Sequence, residues 1–166
     1  MGTAPDWAAE LGLPDDVGIV ARLVRLDLFV RRVLDDLCAA EGLAVPDYLV
    51  LAVVRRSPGG RAAPSQLCRI LDRTSGGMSL ALDRLEAAGW LVRSDDPDDG
   101  RRVVVELTPA GLALATRVND ALHQWEASLE LTEAQQREIG RVVDGLLEQF
   151  ATRQSDTGVR APVSTS

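Results

Sequence analysis

The sequence predicts a mainly α-helical protein with one small β-hairpin. In two long segments, near residues 16–40 and 109–129, apolar residues recur at alternating spacings of three and four, which is the pattern of a helix with one apolar face. After Gly89 the apolar period changes from about 3.6 to 2, which is the period of a strand. We therefore expect long helices near both ends of the chain and a short hairpin between them.

Length and composition favour one folded unit. The chain has 166 residues, of which 46% are hydrophobic, and this is enough for a core of its own. No apolar run reaches the length of a membrane span, and the acidic N-terminus does not resemble a signal peptide, so we expect a cytoplasmic protein without membrane contact. Cys38 and Cys68 lack the spacing of zinc ligands or of a disulfide framework, so we expect reduced thiols, no metal and no cofactor.

The charge is unevenly distributed along the chain. A net charge of −7 argues at first against a nucleic-acid partner, because phosphate binding is electrostatic. The segment 55–73, however, contains five arginines and one acid, whereas acids cluster at residues 95–99. The acidity is therefore local, and the arginines of residues 55–73 form a candidate basic surface near the middle of the chain.

Two helices are predicted before residue 60. The first runs from about residue 16 to 40, where Gly42 ends it, and its single apolar seam requires a partner. This seam consists of Ile19, Leu23, Leu26, Val30, Val33 and Leu37. Pro46 begins the second helix, and the loop 57–60 ends it. Its expected inner face consists of Leu49, Val50, Val53 and Val54.

The next segment predicts two short helices and a hairpin. Pro64 begins a third helix with Leu67, Ile70 and Leu71 on its buried face. Thr74 or Ser75 caps a fourth helix, in which Met78, Leu82 and Leu85 face inward and Gly89 follows the last turn. Residues 90–92 and the alternating Val103, Val105 and Leu107 predict two strands around a charged turn. Two helices and a hairpin in this order predict a winged helix-turn-helix.

Two more helices are predicted after the hairpin. Thr108 and Pro109 supply a cap and a first-turn proline for a long fifth helix. Its apolar seam is Ala115, Val118, Leu122, Trp125 and Leu129. Thr132 with Gln135 forms a capping box for a sixth helix. Residues 153–166 are rich in Ser and Thr, and we expect a disordered tail there.

The fourth helix and the hairpin have features of a DNA reader. A helix enters the major groove only if its outer face is small and polar, and Gly76, Gly77 and Ser79 meet that need. Its N-terminal amides favour a phosphate. Arg101 and Arg102 follow the hairpin turn, where arginines reach the minor groove. Each feature has an alternative explanation. The glycines can serve only to form a tight turn, and the charged hairpin can be an ordinary solvent-exposed turn that contacts no DNA.

Five segments in register resemble the DNA-binding core of the MarR family of transcription regulators. They are residues 64–67 (PSQL), 75–79 (SGGMS), 82–89 (LDRLEAAG), 96–102 (DPDDGRR) and 105–111 (VELTPAG). The resemblance implies a homodimer joined through the first, fifth and sixth helices. It also implies recognition helices in successive major grooves of a pseudo-palindromic operator, with wing arginines in the flanking minor grooves. Repression relieved by a small aromatic or phenolic ligand is implied as well.

The resemblance also implies boundaries and site residues. We expect an N-terminal extension and dimerisation helix over residues 1–44, the DNA-binding domain over 45–108, dimerisation helices over 109–152 and the tail over 153–166. The expected DNA contacts are Ser65, Gln66, Arg73, Thr74, Ser75, Gly76, Gly77, Ser79, Arg84, Arg101 and Arg102. Ligand candidates are Tyr48, Arg56, His123 and Trp125, each of which has a core or interface role as its alternative.

The sequence departs from the family pattern at Leu80. An arginine, lysine or asparagine that reads a base edge is more common there, and a leucine side chain donates no hydrogen bond. With the acidic net charge, this leaves open a winged-helix module that binds another protein and has lost DNA binding. An enzyme is not expected, because the single histidine is in no catalytic arrangement and no phosphate-binding loop is present.

Overall fold

The computed structural model describes residues 18–96 and 102–157. The helices are α1 (Ile19–Ala40), α2 (Val45–Arg56), α3 (Pro64–Ile70), α4 (Ser75–Ala87), α5 (Pro109–Ala127) and α6 (Glu133–Thr157). The strands are β1 (Arg61–Ala62), β2 (Leu91–Asp95) and β3 (Val103–Leu107). This mainly helical architecture with a small sheet confirms the predicted fold class. The N-terminal extension and the wing tip with Arg101 lie outside the described residues.

The chain divides into two compact units at His123. The first unit contains α1 to α4, the sheet and most of α5, and its core is built from the inner faces of α2, α3, α4 and β3. The largest fully buried side chains are Leu51, Leu67, Met78, Leu82, Leu85, Leu91, Val50, Val54, Val105, Val118 and Cys38. The predicted inward residues of α4, which are Met78, Leu82 and Leu85, are therefore confirmed.

The sheet is antiparallel and has the strand order β1-β3-β2. Leu91 pairs with Leu107 and Asp95 with Val103, which is the predicted hairpin. Strand β1 was not predicted, because two residues are too few for a period of 2 to be visible. Arg61 and Ala62 pair with Glu106 and Val105, so β1 closes the outer edge of β3. The guanidinium of Arg61 lies 2.8 Å from the Glu106 carboxylate across this pair.

Two expected core residues lie on the surface. Leu49 is 37% exposed and Ile70 is 49% exposed, so both predictions were wrong. Each residue fits the helical period of its own element. The part of α2 and α3 that the rest of the first unit covers is, however, narrower than the apolar face that the sequence predicts. On α2 that part contains Val50, Leu51 and Val54, all of which are fully buried.

One junction holds the end of α4, the start of β2 and the start of α5 together. Gly89 follows α4 with φ of +73°, and the Trp90 amide donates to the Leu85 carbonyl at 2.9 Å, which closes the helix end. The Thr108 hydroxyl donates to the Gly89 carbonyl at 2.7 Å and accepts from the Gly111 amide at 3.1 Å. Thr108 therefore caps α5, as predicted, and ties its start to the end of α4.

Gly111 lies against the same junction. A Cβ atom on Gly111 would come within 1.8 Å of the Trp90 carbonyl oxygen, which is a backbone atom and cannot rotate away. The glycine is required because α5 and the Trp90 backbone approach each other too closely for any side chain.

The second unit contains the end of α5 and helix α6. The Thr132 amide donates to the Gln135 side-chain oxygen at 2.9 Å and the Gln135 amide donates to the Thr132 hydroxyl at 3.3 Å, so the predicted capping box is confirmed. Helix α6 continues to Thr157, past residue 152 where its end was predicted. A formed helix gains one backbone hydrogen bond for each residue added, so the Ser- and Thr-rich composition of this segment did not end it. The rest of the predicted tail, residues 158–166, lies outside the described residues.

Both α1 and α6 expose apolar side chains. On α1 these are Ile19, Val20, Val24, Leu26, Leu28, Phe29 and Val30. On α6 they are Ile139, Val142, Val143, Leu147 and Phe150. Each helix therefore has an apolar face that its own unit leaves uncovered.

Within the described residues, no single helix is long and apolar enough to cross a membrane. Helices α1 and α2 pass that test by length and composition only when they are taken together, and they are bent by 86° at the break between them.

We predict that Gly111→Ala lowers the free energy of unfolding by more than about 2 kcal/mol, since the added methyl overpacks the junction against a backbone carbonyl. Urea denaturation followed by circular dichroism measures the change. Gly76→Ala is the matched control, because it also lies in a first helical turn and a Cβ there meets nothing within 4 Å. A Gly111→Ala protein as stable as the Gly76→Ala protein would contradict the steric argument.

Candidate nucleic-acid interface

Helices α3 and α4 are joined by a tight turn whose ends are both capped. Asp72 adopts φ of +48°, and the Arg73 amide donates to the Cys68 carbonyl at 2.9 Å, which closes the end of α3. Thr74 then begins α4, where its hydroxyl accepts from the Gly77 amide at 3.2 Å. The cap at Thr74 confirms one of the two predicted positions. Local bonds therefore set the point at which α4 begins.

The outer face of α4 is small and largely polar at its N-terminal end. Ser75, Gly76, Gly77 and Ser79 are all exposed, and Met78 between them is buried. No atom lies within 4 Å of the place where a Cβ on Gly76 would be, so this side of the helix is open. A groove wall can therefore approach the helix backbone closely at this end.

Strand β2 braces the outer face of α4 through Arg93. Its guanidinium lies 2.6 Å from the Asp83 carboxylate and 2.7 Å from the Glu86 carboxylate. Both acids belong to α4, and the single positive charge of Arg93 offsets one of their two negative charges on the outer face of this helix. The wing and the candidate recognition helix are thereby held together.

Helix α2 holds α4 from the opposite side. Arg84 Nη2 donates to Asp47 Oδ1 at 2.7 Å, and its Nε lies 3.4 Å from Oδ2. The side chain of Asp47 is only 13% exposed, whereas that of Arg84 is 57% exposed. The hydrogen bond from Arg84 to Asp47 and the negative charge of Asp47 raise the pKa of the guanidinium above its ordinary value. Arg84, predicted as a DNA contact, is therefore also an anchor of α4.

The other end of α2 is bound to α5. Arg55 and Arg56 each donate to the side-chain oxygen of Asn119, at 2.7 and 2.9 Å. Asn119 is buried, with 5% of its surface exposed. Near the start of α2, Arg117 of α5 lies 2.8 Å from Glu41 at the end of α1. Helix α2 is consequently a bridge between α5 and the candidate recognition helix.

The remaining predicted DNA contacts lie on α3, in the turn before α4 and just before β3. Ser65 is exposed at the start of α3, Gln66 is half-buried beside it, and Arg73 is half-buried in the turn. Arg102 is exposed just before β3.

The predicted ligand contacts have different environments. Tyr48 is buried on α2, Arg56 is exposed and donates to Asn119, and His123 is exposed on α5. Trp125 is half-buried and belongs to the second unit. No group of three or more His, Cys, Asp or Glu that could hold a metal ion occurs among residues 18–96 and 102–157.

Sequence reasoning missed Asp47, Arg93 and Asn119, the three residues that anchor the helices. An acid in the first turn of a helix, such as Asp47, is usually explained by the helix dipole, and this offers no sign of a distant partner. The partners of Asp47 and Asn119 are 37 and 64 positions away in sequence, so no local pattern could have revealed them.

The two cysteines differ in their surroundings. Cys38 is fully buried on α1, and burial together with the negative charge of Asp35 raises the pKa of its thiol to about 11. Cys68 on α3 is half-buried. A buried thiol with so high a pKa has little thiolate at neutral pH and is a poor redox sensor.

The comparisons with known proteins agree with this geometry. The model of the MarR family matches residues 41–102, which include α2, α3, α4 and β2. An HTH-type transcriptional repressor of Mycobacterium tuberculosis is 31% identical over 138 residues, which cover 82% of this chain and 98% of the repressor. The chain belongs to the MarR family. It is a DNA-binding transcriptional regulator and not an enzyme.

Other relatives of this MarR-family protein extend the comparison. The HTH-type transcriptional regulator PecS of Dickeya dadantii is 36% identical over 101 residues, and the match spans 60% of this chain and 61% of PecS. Among solved structures, a mutant of MarR from Escherichia coli complexed with operator DNA has a TM-score of 0.63 and 25% identity. That match covers 80% of this chain and 96% of the other.

We predict that the ion pair between Arg84 and Asp47 stabilises the fold through mutual contact. Arg84→Ala and Asp47→Ala each lower the thermal midpoint, and the double variant lowers it by less than the sum of the two, since either change already removes the pair. Differential scanning calorimetry measures all three. The control pair is Arg137 and Glu133 on α6, whose side chains are 74% and 89% exposed and whose removal should change little. Additive effects at Arg84 and Asp47 would show that the contact carries no coupling.

We predict that the Cys38 thiol resists alkylation in the native protein. With a pKa of about 11, roughly one thiol in 3,000 is ionised at about pH 7.5, and the fraction rises as the pH approaches 11. Iodoacetamide labelling of a Cys68→Ser variant, followed by mass spectrometry, measures this, and unfolding in urea provides the reference rate. Native labelling at the urea rate would contradict the assigned burial.

Proposed function

We propose that this regulator is a repressor that binds a pseudo-palindromic operator as a homodimer and is released by a small aromatic or phenolic ligand. The observation that carries the proposal is the outer face of α4, which begins at a capped N-terminus and is exposed and small at Ser75, Gly76 and Ser79. Such a face fits a major groove without steric conflict.

The electrostatics around α4 favour a phosphate backbone. The amides of the first turn have no acceptor within the helix, and the positive end of the helix dipole lies at the same place. Arg73 adds positive charge in the turn before α4 and Arg102 adds it just before β3, while Arg93 offsets one of the two negative charges of Asp83 and Glu86. In the proposed complex, Ser65, Gln66, Arg73 and Thr74 contact phosphates, Ser79 and Arg84 contact base edges, and Arg101 and Arg102 reach the minor groove.

The uncovered apolar faces support the homodimer. Seven large apolar side chains of α1 and five of α6 are at least 37% exposed, which is more than a monomer in water normally tolerates on single helices. A second copy of the chain supplies an equivalent apolar surface, and a two-fold axis matches the symmetry of a palindromic operator.

Ligand release requires a route from a ligand to α4. Because α2 is bonded to α5 through Asn119 and to α4 through Asp47, a ligand that displaces α2 also displaces the recognition helix. Tyr48 and Arg56 belong to α2, while His123 and Trp125 belong to α5. A ligand that binds one position of α2 more tightly than another changes the DNA affinity, by at most the ratio of the ligand's affinities for these two positions.

The test is fluorescence anisotropy of the full chain with the DNA upstream of its own gene, against a scrambled duplex, over a series of salt concentrations. We expect selective binding by one dimer per site and a steep loss of affinity with salt, because arginine contacts release counterions from the DNA. Arg101→Ala and Arg102→Ala should weaken binding to all sequences and lower the salt slope, whereas Ser79→Ala should reduce discrimination between bases.

Arg137→Ala is the matched control, because it removes an exposed arginine of α6 that lies outside the predicted DNA-binding domain. Loss of binding in this control equal to the loss in Arg102→Ala would remove the wing from the proposal. Binding without sequence preference at low salt would instead favour the reading in which this acidic winged-helix protein binds another protein. Addition of candidate phenolic ligands to the formed complex then tests release.

A further inference from the structure

Leu80 is the most exposed of the large apolar side chains among the described residues. Its exposed fraction is 64%, and it lies on the outer face of α4, beside Ser79 and one turn after Gly76. Leu80 belongs neither to the buried core nor to the partly buried residues packed against it, so the core does not account for it.

The charged neighbours of Leu80 are engaged elsewhere. Asp83 is held by Arg93 at 2.6 Å, and Arg84 is held by Asp47 at 2.7 Å. The side chains on this face without such an ion pair are the short Ser75 and Ser79 and the apolar Leu80. The side chain of Leu80 is longer than those of Ser75 and Ser79 and therefore extends farther from the helix. A partner that approaches this face contacts Leu80 before it contacts the two serines.

We infer that Leu80 recognises the 5-methyl group of a thymine in each half of the operator. This inference rests on the proposed function, since it requires α4 in a major groove. In that groove the methyl of thymine is the one apolar group among the edges of the four standard bases. A leucine that cannot donate a hydrogen bond gains affinity only where it covers this methyl, and it leaves polar base edges unpaired elsewhere.

The surroundings of Leu80 do not suit a protein partner. Protein docking sites are contiguous apolar patches, whereas the exposed residues around Leu80 on α4 are small, polar or charged: Gly76, Gly77, Ser79, Asp83 and Arg84. One apolar side chain among small and polar ones fits a surface with one apolar group at a defined place, such as a thymine edge.

The experiment is a double-mutant cycle in which one change is made in the protein and the other in the DNA. The operator is first located by footprinting the full chain on its upstream DNA, and each thymine in the protected segment is then replaced by deoxyuridine, which lacks only the methyl. Dissociation constants are measured by anisotropy for the wild type, for Leu80→Ala and for Leu112→Ala. Leu112 is the matched control, because it is a 48% exposed leucine on α5.

We expect one or two uracil positions in each half-site to weaken wild-type binding roughly fourfold, which corresponds to the loss of one buried methyl. The same replacements should leave the affinity of Leu80→Ala unchanged, while Leu112→Ala should respond like the wild type. Any general effect of uracil on DNA stacking acts equally on all three proteins and cancels.

Two results would overturn the inference while leaving the regulator intact. One is a wild type that binds its operator and is indifferent to every uracil, and the other is a uracil effect of equal size in Leu80→Ala. Absence of selective binding by the wild type to unmodified DNA would overturn the proposed function itself and the inference with it.

Discussion

The close approach of Gly111 to the Trp90 carbonyl is the constraint on which the arrangement of the DNA-binding elements depends. The recognition helix α4, the first wing strand and the long helix α5 all begin or end within three residues of this contact. Hydrogen bonds from Thr108 to Gly89 and from Gly111 to Thr108 then hold the three elements in one geometry. Because the atoms of Trp90 that face Gly111 belong to the backbone, no side-chain rotation could make room for a larger residue at position 111.

Polar contacts give the same region a second set of restraints. Asp47 holds α4 from within the fold, and Arg93 holds it from the wing. Asn119 joins the far end of α2 to α5. Charge-assisted hydrogen bonds add geometric specificity to the apolar packing, because each one needs its donor and acceptor in a single arrangement. The candidate recognition helix α4 is thus held in a defined orientation by α2 on one side and by β2 on the other.

The exposed surface of α4 carries two kinds of side chain. Asp83, Glu86 and Arg84 form ion pairs with neighbouring elements, and Arg84 is also a proposed DNA contact, whereas the N-terminal part of the face consists of glycines, serines and Leu80. Such a face relies on close approach, helix amides and shape more than on long side chains that form bidentate hydrogen bonds to bases. A net charge of −7 is compatible with DNA binding because part of the acidity beside α4 is neutralised locally: Asp83 and Glu86 share the positive charge of Arg93.

The sequence by itself determined the features that depend on neighbouring residues. The caps at Thr74, Thr108 and Thr132 and the helix end before Gly89 were predicted, because each rests on bonds between residues a few positions apart. The helical periods and the wing hairpin followed from the same local rules, and so did the exposed glycines and serines of α4.

Only the tertiary structure decided which side of each helix is covered and which charges meet. Leu49 and Ile70 satisfy their local periods and are nevertheless exposed, since burial depends on the width of the neighbouring element. Strand β1 exists because β3 offers an open edge. Asp47 and Arg84 are 37 positions apart in sequence. Their ion pair depends on how α2 packs against α4, and the apolar period of a single helix contains no information about that packing.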